Sequence, residues 1–173
     1  MPSVEKMIEQ RRQATRLLQK INHETVHAFQ VCKLALDLFD QLQSLHQLGI
    51  EEKTLLECAA LLHDIGWAIS GVKHHKHSLR MILNADLPAL TEREKRIVAN
   101  VARYHRRSLP KSSHSPFMLL GKDDQLIVKK LAAFLRIADA LDDAHKSHIS
   151  AIECTISHRD VTIHAESLDP CTD

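Results

Sequence analysis

The stretch AALLHDIGW, residues 59–67, runs through apolar residues and then sets His63 directly before Asp64. A carboxylate carried into a core needs a cation or several hydrogen bonds to offset its lost hydration. The rest of the chain supplies matching groups. His27 stands four residues before Val31 and seven before Leu34; His105 follows Val101 by four; Asp139 follows Leu135 by four and Ala132 by seven. Residues at these spacings share one helix face, so each polar group falls on an apolar stripe. Singly, an inward histidine is more often a hydrogen-bonded core residue, and Asp139 could pair with Arg136 one turn earlier. Jointly these plainer readings fail, because several imidazoles and two carboxylates in one interior leave groups unpaired. A divalent cation satisfies them together. The pattern predicts a metal site built from His27, His63, Asp64, His105 and Asp139, with nitrogen and oxygen donors that suit Mn, Fe, Co, Ni or Zn.

Helices must bring these residues together, and the sequence supplies them. An amphipathic helix is predicted over 4–20, capped by Ser3. A second spans 24–48, capped by Asn22 and ended by Gly49, with Val31, Leu34, Ala35, Leu38, Leu42 and Leu45 as its apolar stripe. A third covers 51–64. VKHHKHSLRMILNADLP reads as a loop and a short helix broken near Pro88. Thr91 and Glu94 form a capping box that opens a helix to about 106. Residues 108–122 read as loop and 123–143 as a sixth helix. The ending changes character: ISAIECTIS and VTIHAES are β-rich runs separated by HRD, the pattern of a hairpin. The expectation is an all-α fold, a helical domain over 1–148 whose leading helix is 1–21, followed by a β-hairpin extension over 149–173.

The 173 residues carry 44% apolar and 26% charged side chains, with Gly 4 and Pro 5, which suits one helical globular domain. A formal net charge of +1 gives no global field toward nucleic acid or membrane. Few aromatics stand near the site, Trp67 and Tyr104 being the nearest, which argues against base stacking and against nucleic acid as the main partner. No apolar run approaches a membrane span, and the charged opening stretch has no apolar core of a signal peptide. Cys32, Cys58, Cys154 and Cys171 form no C-x-x-C pair and read as reduced thiols of a cytoplasmic protein. The chain carries 13 histidines, more than core packing ordinarily uses.

The order His27, His63-Asp64, Asp139 resembles the HD superfamily of metal-dependent phosphohydrolases. HAFQVCKLALDLFDQL, LLECAALLHDIGWAIS, HHKHSLRMILNADLPAL, IVANVARYHRRSLP and KLAAFLRIADALDDAH together look like the HD domain that follows the actin-like domain in bacterial exopolyphosphatase and guanosine pentaphosphate phosphohydrolase proteins. The resemblance covers about residues 20–165 and implies an HD-type helical fold. The actin-like domain, where that family's polyphosphate hydrolysis is placed, is not in this sequence, so exopolyphosphatase activity does not transfer with the resemblance.

Binuclear HD proteins add two histidines between the HD pair and the last aspartate. Here these are His105 and one of His74, His75 and His77. A helix starting near His74 puts His74 and His77 on one face, so packing favours His77, whereas the family alignment favours His74 or His75. The resemblance implies one or two ions, Asp64 bridging them if there are two, and a metal-activated water as nucleophile, with Asp64 and His63 as the catalytic pair. Lys73 and Lys76 flank the histidine cluster, Arg103, Arg106, Arg107 and Lys111 surround His105, and Arg136 precedes Asp139 by one turn. Such basic groups suit phosphate. The expected function is metal-dependent hydrolysis of a phosphate ester or anhydride, of a nucleotide or of polyphosphate. Two alternatives are a non-catalytic nucleotide- or polyphosphate-binding accessory domain and a di-iron HD-type oxygenase. The expected partners are a phosphorylated small molecule or polyphosphate, and either a second copy of the chain or an actin-like exopolyphosphatase domain.

Overall fold

A computed structural model describes residues 3–21 and 25–168. Its elements in chain order are α1 (Val4–Ile21), α2 (Val26–Gln41), α3 (Gln43–His46), α4 (Ile50–Leu62), a 3-10 turn (Ile65–Ala68), α5 (His74–Asn84), α6 (Glu92–Arg103), α7 (Ser115–Met118), α8 (Lys122–Leu141), β1 (Ile149–Ile156) and β2 (Val161–Ser167). The all-α expectation with a short terminal hairpin holds.

Ser3 caps α1 by accepting from the Lys6 amide at 3.2 Å, and the Thr91–Glu94 capping box opens α6. Asn22 lies outside the described residues. The expected helix over 24–48 is interrupted. It ends at Gln41, and the one-turn α3 follows before Gln47 turns left-handed at φ 55°. His46 fixes this break: it is buried, one ring nitrogen meets the Phe39 carbonyl at 2.7 Å, and the other accepts from the Leu48 amide at 3.0 Å. Leu45, expected to be inward, therefore points out and is exposed.

Helices α2, α4, α6 and α8 enclose the core; α1 covers α4, and α5 covers α6. Val31, Leu34 and Leu38 share one hydrophobic cluster with Leu56, Leu62, Ile97, Val98, Leu131 and Leu135, all fully buried. At about 1.5–3 kcal/mol per buried aliphatic side chain, this apolar shell can hold together an interior that also carries charge.

HHKH is the first turn of α5, which starts at His74. The buried face of α5 is His74, His75, Ser78, Leu79 and Ile82, so the apolar residues farther along set a stripe that leaves His77 at its edge, half-buried. Within 108–122, Phe117 of α7 is buried and anchors the segment.

The hairpin pairs Ile152 with Ala165, Cys154 with Ile163 and Ile156 with Val161. Its β1 edge is covered by side chains of α2. Gln30 donates to the Ile149 carbonyl at 2.6 Å, Lys33 reaches the Ser150 carbonyl, and the Gln41 amide both donates to Ile152 (2.9 Å) and accepts from Cys154 (2.7 Å). Gln41 thus stands in for a neighbouring strand, which satisfies an otherwise open edge. Among the described residues, no helix is long and apolar enough to cross a membrane.

Candidate metal centre

The apolar stripe of α2 carries His27 at its N-terminal end, and α4 delivers His63 and Asp64 where its ladder stops. His74 opens α5, His105 follows the end of α6, and Asp139 sits in the last turn of α8. All six are buried. Gly66 makes the α5 contribution geometrically available. A Cβ there would lie 2.1 Å from the His74 carbonyl oxygen and 2.5 Å from the Ser78 nitrogen. The 3-10 turn therefore packs directly against the α5 backbone, and the Gly66 amide donates to Ser78 Oγ at 2.9 Å.

The donors fall into two groups around one carboxylate. Asp64 Oδ2 lies 3.9 Å from His27 Nε2 and 3.6 Å from His63 Nε2, and Asp139 Oδ1 lies 3.5 Å from each of these nitrogens. Asp64 Oδ1 faces the other way, 3.3 Å from His74 Nε2 and 3.4 Å from His105 Nε2. Two sets, His27–His63–Asp64 and Asp64–His74–His105, each bring one ligand atom per residue within 4.8 Å of one another.

The far side of each ring fixes its tautomer. Nδ1 of His27 meets Asp142 Oδ2 at 2.8 Å, that of His63 the Ala60 carbonyl at 2.7 Å, that of His74 the Gly71 carbonyl at 3.1 Å, and that of His105 the Ala102 carbonyl at 2.6 Å. Those partners only accept, so each neutral imidazole carries its proton on Nδ1 and turns a bare Nε2 lone pair inward. Nε2 of His74 and of His105 then face each other at 3.2 Å with no proton between them. Nε2 of His27 and His63 and Oδ1 of Asp64 are buried without a hydrogen-bond partner.

Protons satisfy only part of this set. Burial lowers His27 and His63, but the Asp139 and Asp142 carboxylates beside His27, and the Asp64 and Asp139 carboxylates beside His63, hold both above the ordinary imidazole range. His105 goes the other way: burial, then the charge of His63, pushes it down to about 3, so it stays neutral. Burial raises Asp64 and Asp139, yet the surrounding imidazoles hold both below the usual carboxylate range. Four lone pairs and two ionised carboxylates aimed at one small space fit a divalent cation, or two sharing Asp64.

Two supporting residues, Asp142 and His145, went unrecognised in the sequence, and a third, Trp67, was read only as an aromatic near the site. Asp142, 3% exposed, orients His27 and is itself held by the Ser147 amide at 2.7 Å. It lies three residues after Asp139, and that spacing is the signal that could have found it. His145 stacks on His27 with ring centroids 3.6 Å apart, and Trp67 stacks on His74 at 4.8 Å. His145 lies beyond the end of α8, where helix periodicity no longer reports position.

Of the three HHKH histidines, the structure brings His74 to the donor cluster. His75 is buried beside it and His77 lies apart, against the packing argument that favoured it. The basic residues divide. Arg106 and Arg136, with His105 and Asp139, line a cavity of about 320 Å³. Arg106 pairs with Asp143 at 3.1 Å, and Arg136 donates to the Tyr104 carbonyl at 3.2 Å. Lys73, Lys76, Arg107 and Lys111 are exposed, whereas Arg103 is buried.

Residues 10–169 match the family model described as Ppx/GppA phosphatase, domain III. Among curated proteins, the chain is 26% identical over 151 residues to a guanosine-5'-triphosphate,3'-diphosphate pyrophosphatase of Pseudoalteromonas atlantica, covering 83% of this chain and 29% of that protein. It is 33% identical over 84 residues to the protein of that name from Pseudoalteromonas translucida (49% of this chain, 16% of that protein). Over 98 residues it is 30% identical to the one from Photobacterium profundum (57% and 20%). The chain thus spans less than a third of the length of these relatives.

Proposed function

The chain belongs to the Ppx/GppA phosphatase domain III family, and from that premise we propose that it is an HD-type, metal-dependent phosphohydrolase acting on a phosphate ester or anhydride. The observation that carries the reading is the inward convergence of four Nε2 lone pairs on the two oxygens of Asp64. The relatives' printed names, pyrophosphatases of a guanosine polyphosphate, support a phosphorylated nucleotide as the substrate class.

In this reading His27, His63, Asp64 and Asp139 hold one divalent ion, and Asp64, His74 and His105 hold a second. Bound there, such ions supply Lewis acidity to a phosphoryl oxygen and make water acidic enough to serve as nucleophile near neutral pH. The protein's own part is orientation. Asp142 and the carbonyls of Ala60, Gly71 and Ala102 lock the rings, so no donor has to turn when the centre loads. Arg106 and Arg136 stand where a phosphate entering the 320 Å³ cavity meets His105 and Asp139. A guanidinium offers two parallel donors to phosphate oxygens, and Asp143 keeps Arg106 in place until an oxyanion competes for it.

A second reading is favoured by one observation: the matched segment is a minority of each relative's length. An accessory domain of a longer enzyme could bind nucleotide or polyphosphate without turning it over. Phosphate release across nucleotides and inorganic polyphosphate, measured with added Mn and again after chelation, separates the two. The hydrolase reading expects release that chelator abolishes and Mn restores. Saturable ligand binding with no turnover under any metal would establish the accessory role.

A further inference from the structure

Arg103, the last residue of α6, is 7% exposed, and its Nη1 has no hydrogen-bond partner. Its neighbour three residues on, Arg106, pairs with Asp143; among the described residues no carboxylate pairs with Arg103. Arginine cannot shed its proton to relieve burial, so an unpaired buried guanidinium is an expensive arrangement.

Its surroundings add to the imbalance. His75 is buried with Nδ1 unpartnered. His114 is lowered by burial and then by Arg103, Lys111 and Lys76. Among the described residues, no carboxylate forms an ion pair with Arg103 or His75, and a polar atom of each is buried without a partner. Tyr104 adds its ring, 5.3 Å from the guanidinium carbon, and a neutral hydroxyl that accepts from Arg103 without cancelling its charge. A cluster with several donors and positive charges and no anion is complementary to an oxyanion.

The cluster adjoins the metal centre. The His75 ring lies 5.7 Å from that of His74 and 6.5 Å from that of His105. Arg103 precedes His105 by two residues. It is separate from the Arg106–Arg136 cavity, since neither Arg103 nor His75 lines that space.

We propose that Arg103 and His75 form a second oxyanion site, beside the metal centre, that takes a phosphoryl group of the substrate other than the one held between Arg106 and Arg136. Arg103 supplies the paired donors of its guanidinium, and the buried, unpartnered Nδ1 of His75 supplies a ring N–H. Lys76, Arg107 and Lys111, exposed at the rim, draw the anion in without fixing its orientation. A substrate that uses both positions carries more than one phosphate, so the site selects against simple monoesters. The claim that this phosphate belongs to substrate rests on the hydrolase reading above; the oxyanion site itself rests on Arg103 and His75 alone.

The test is titration of the full chain with inorganic phosphate, by calorimetry and by the side-chain nitrogen resonances of arginine, with and without added Mn. Without metal, one phosphate per chain is expected to bind and to shift Arg103. Arg103→Gln should weaken that binding at least tenfold, and Arg103→Lys should retain part of it. If Arg103→Gln fails to fold, the wild-type resonances still decide: an Arg103 signal that phosphate leaves unmoved overturns the proposal. Equal affinity in wild type and Arg103→Gln does so as well. If the chain takes up no metal but phosphate still moves Arg103, the metal reading fails and the oxyanion site stands.

Discussion

On one side of Asp64, Nε2 of His27 and His63 face Oδ2 with the Asp139 carboxylate beside them; on the other, Nε2 of His74 and His105 face Oδ1 alone. The first half stands on α2, α4 and α8, helices that share the fully buried core. One of its rings is held by a buried carboxylate, Asp142. The second half stands on the first turn of α5 and the residue that follows the Tyr104 cap of α6, and backbone carbonyls hold both of its rings. The difference teaches that one shared carboxylate joins two unequal places. The first offers more negative charge and firmer support, and in the proposed centre it is the tighter ion position. The second depends on how α5 is seated against the 3-10 turn.

Breaking the shared residue should have the largest effect. Asp64→Ala removes an oxygen from both halves, and metal content by elemental analysis should fall to near zero, with turnover down by orders of magnitude. Loss from only one half would mean that Asp64 does not bridge. His105→Ala should remove about one metal equivalent and leave the other, while His27→Ala should empty the opposite position. Identical losses in both variants would erase the distinction between halves. Gly66→Ala should act on the second half through packing. Its new Cβ meets backbone that no rotamer change relieves, so a loss of about 1–3 kcal/mol or more in stability is expected, together with weakened metal uptake at His74 and His105.

The halves should also differ in their response to pH when metal-free. His27 and His63 are raised, so the stability their protons contribute is full below about pH 6.5, the unfolded-chain value, and is lost as pH rises through their folded values. His105 is held near 3, so its contribution is present above about pH 6.5 and is lost as pH falls below it. Ring resonances should show His27 and His63 protonated at a pH where His105 remains neutral. Simultaneous titration of all three would contradict the asymmetry. The smallest effect concerns the rim: Arg106→Ala should raise KM by about tenfold or less while leaving the melting temperature near wild type, since its ion pair is partly exposed. A marked drop in melting temperature would make Arg106 a structural residue.

The same division marks what the sequence disclosed. His27 and Asp139 sit on long helices, and His63 and Asp64 directly follow the last turn of another, so the apolar stripes beside them reported direction in space. The His74 half was harder. HHKH begins a helix instead of following one, and its inward face is set by Leu79 and Ile82 downstream and by the close approach at Gly66. Counting from His74 alone favoured His77. The break at Gln41 was hidden because Leu42 and Leu45 continue the stripe in sequence while His46 captures the backbone in space. The hairpin was plain from its β-branched runs. Its docking by Gln30 and Gln41 was not, because a polar side chain on a helix carries no mark of which backbone it will bond.

Anomalous diffraction from crystals of the Mn-loaded protein tests the central claim most directly. The proposed centre predicts two peaks flanking Asp64, one among His27, His63 and Asp139 and one between His74 and His105, the first retained longer as metal is withdrawn. A fully loaded crystal with no peak there, or with a single peak while His74 and His105 bond only to protein, would contradict it.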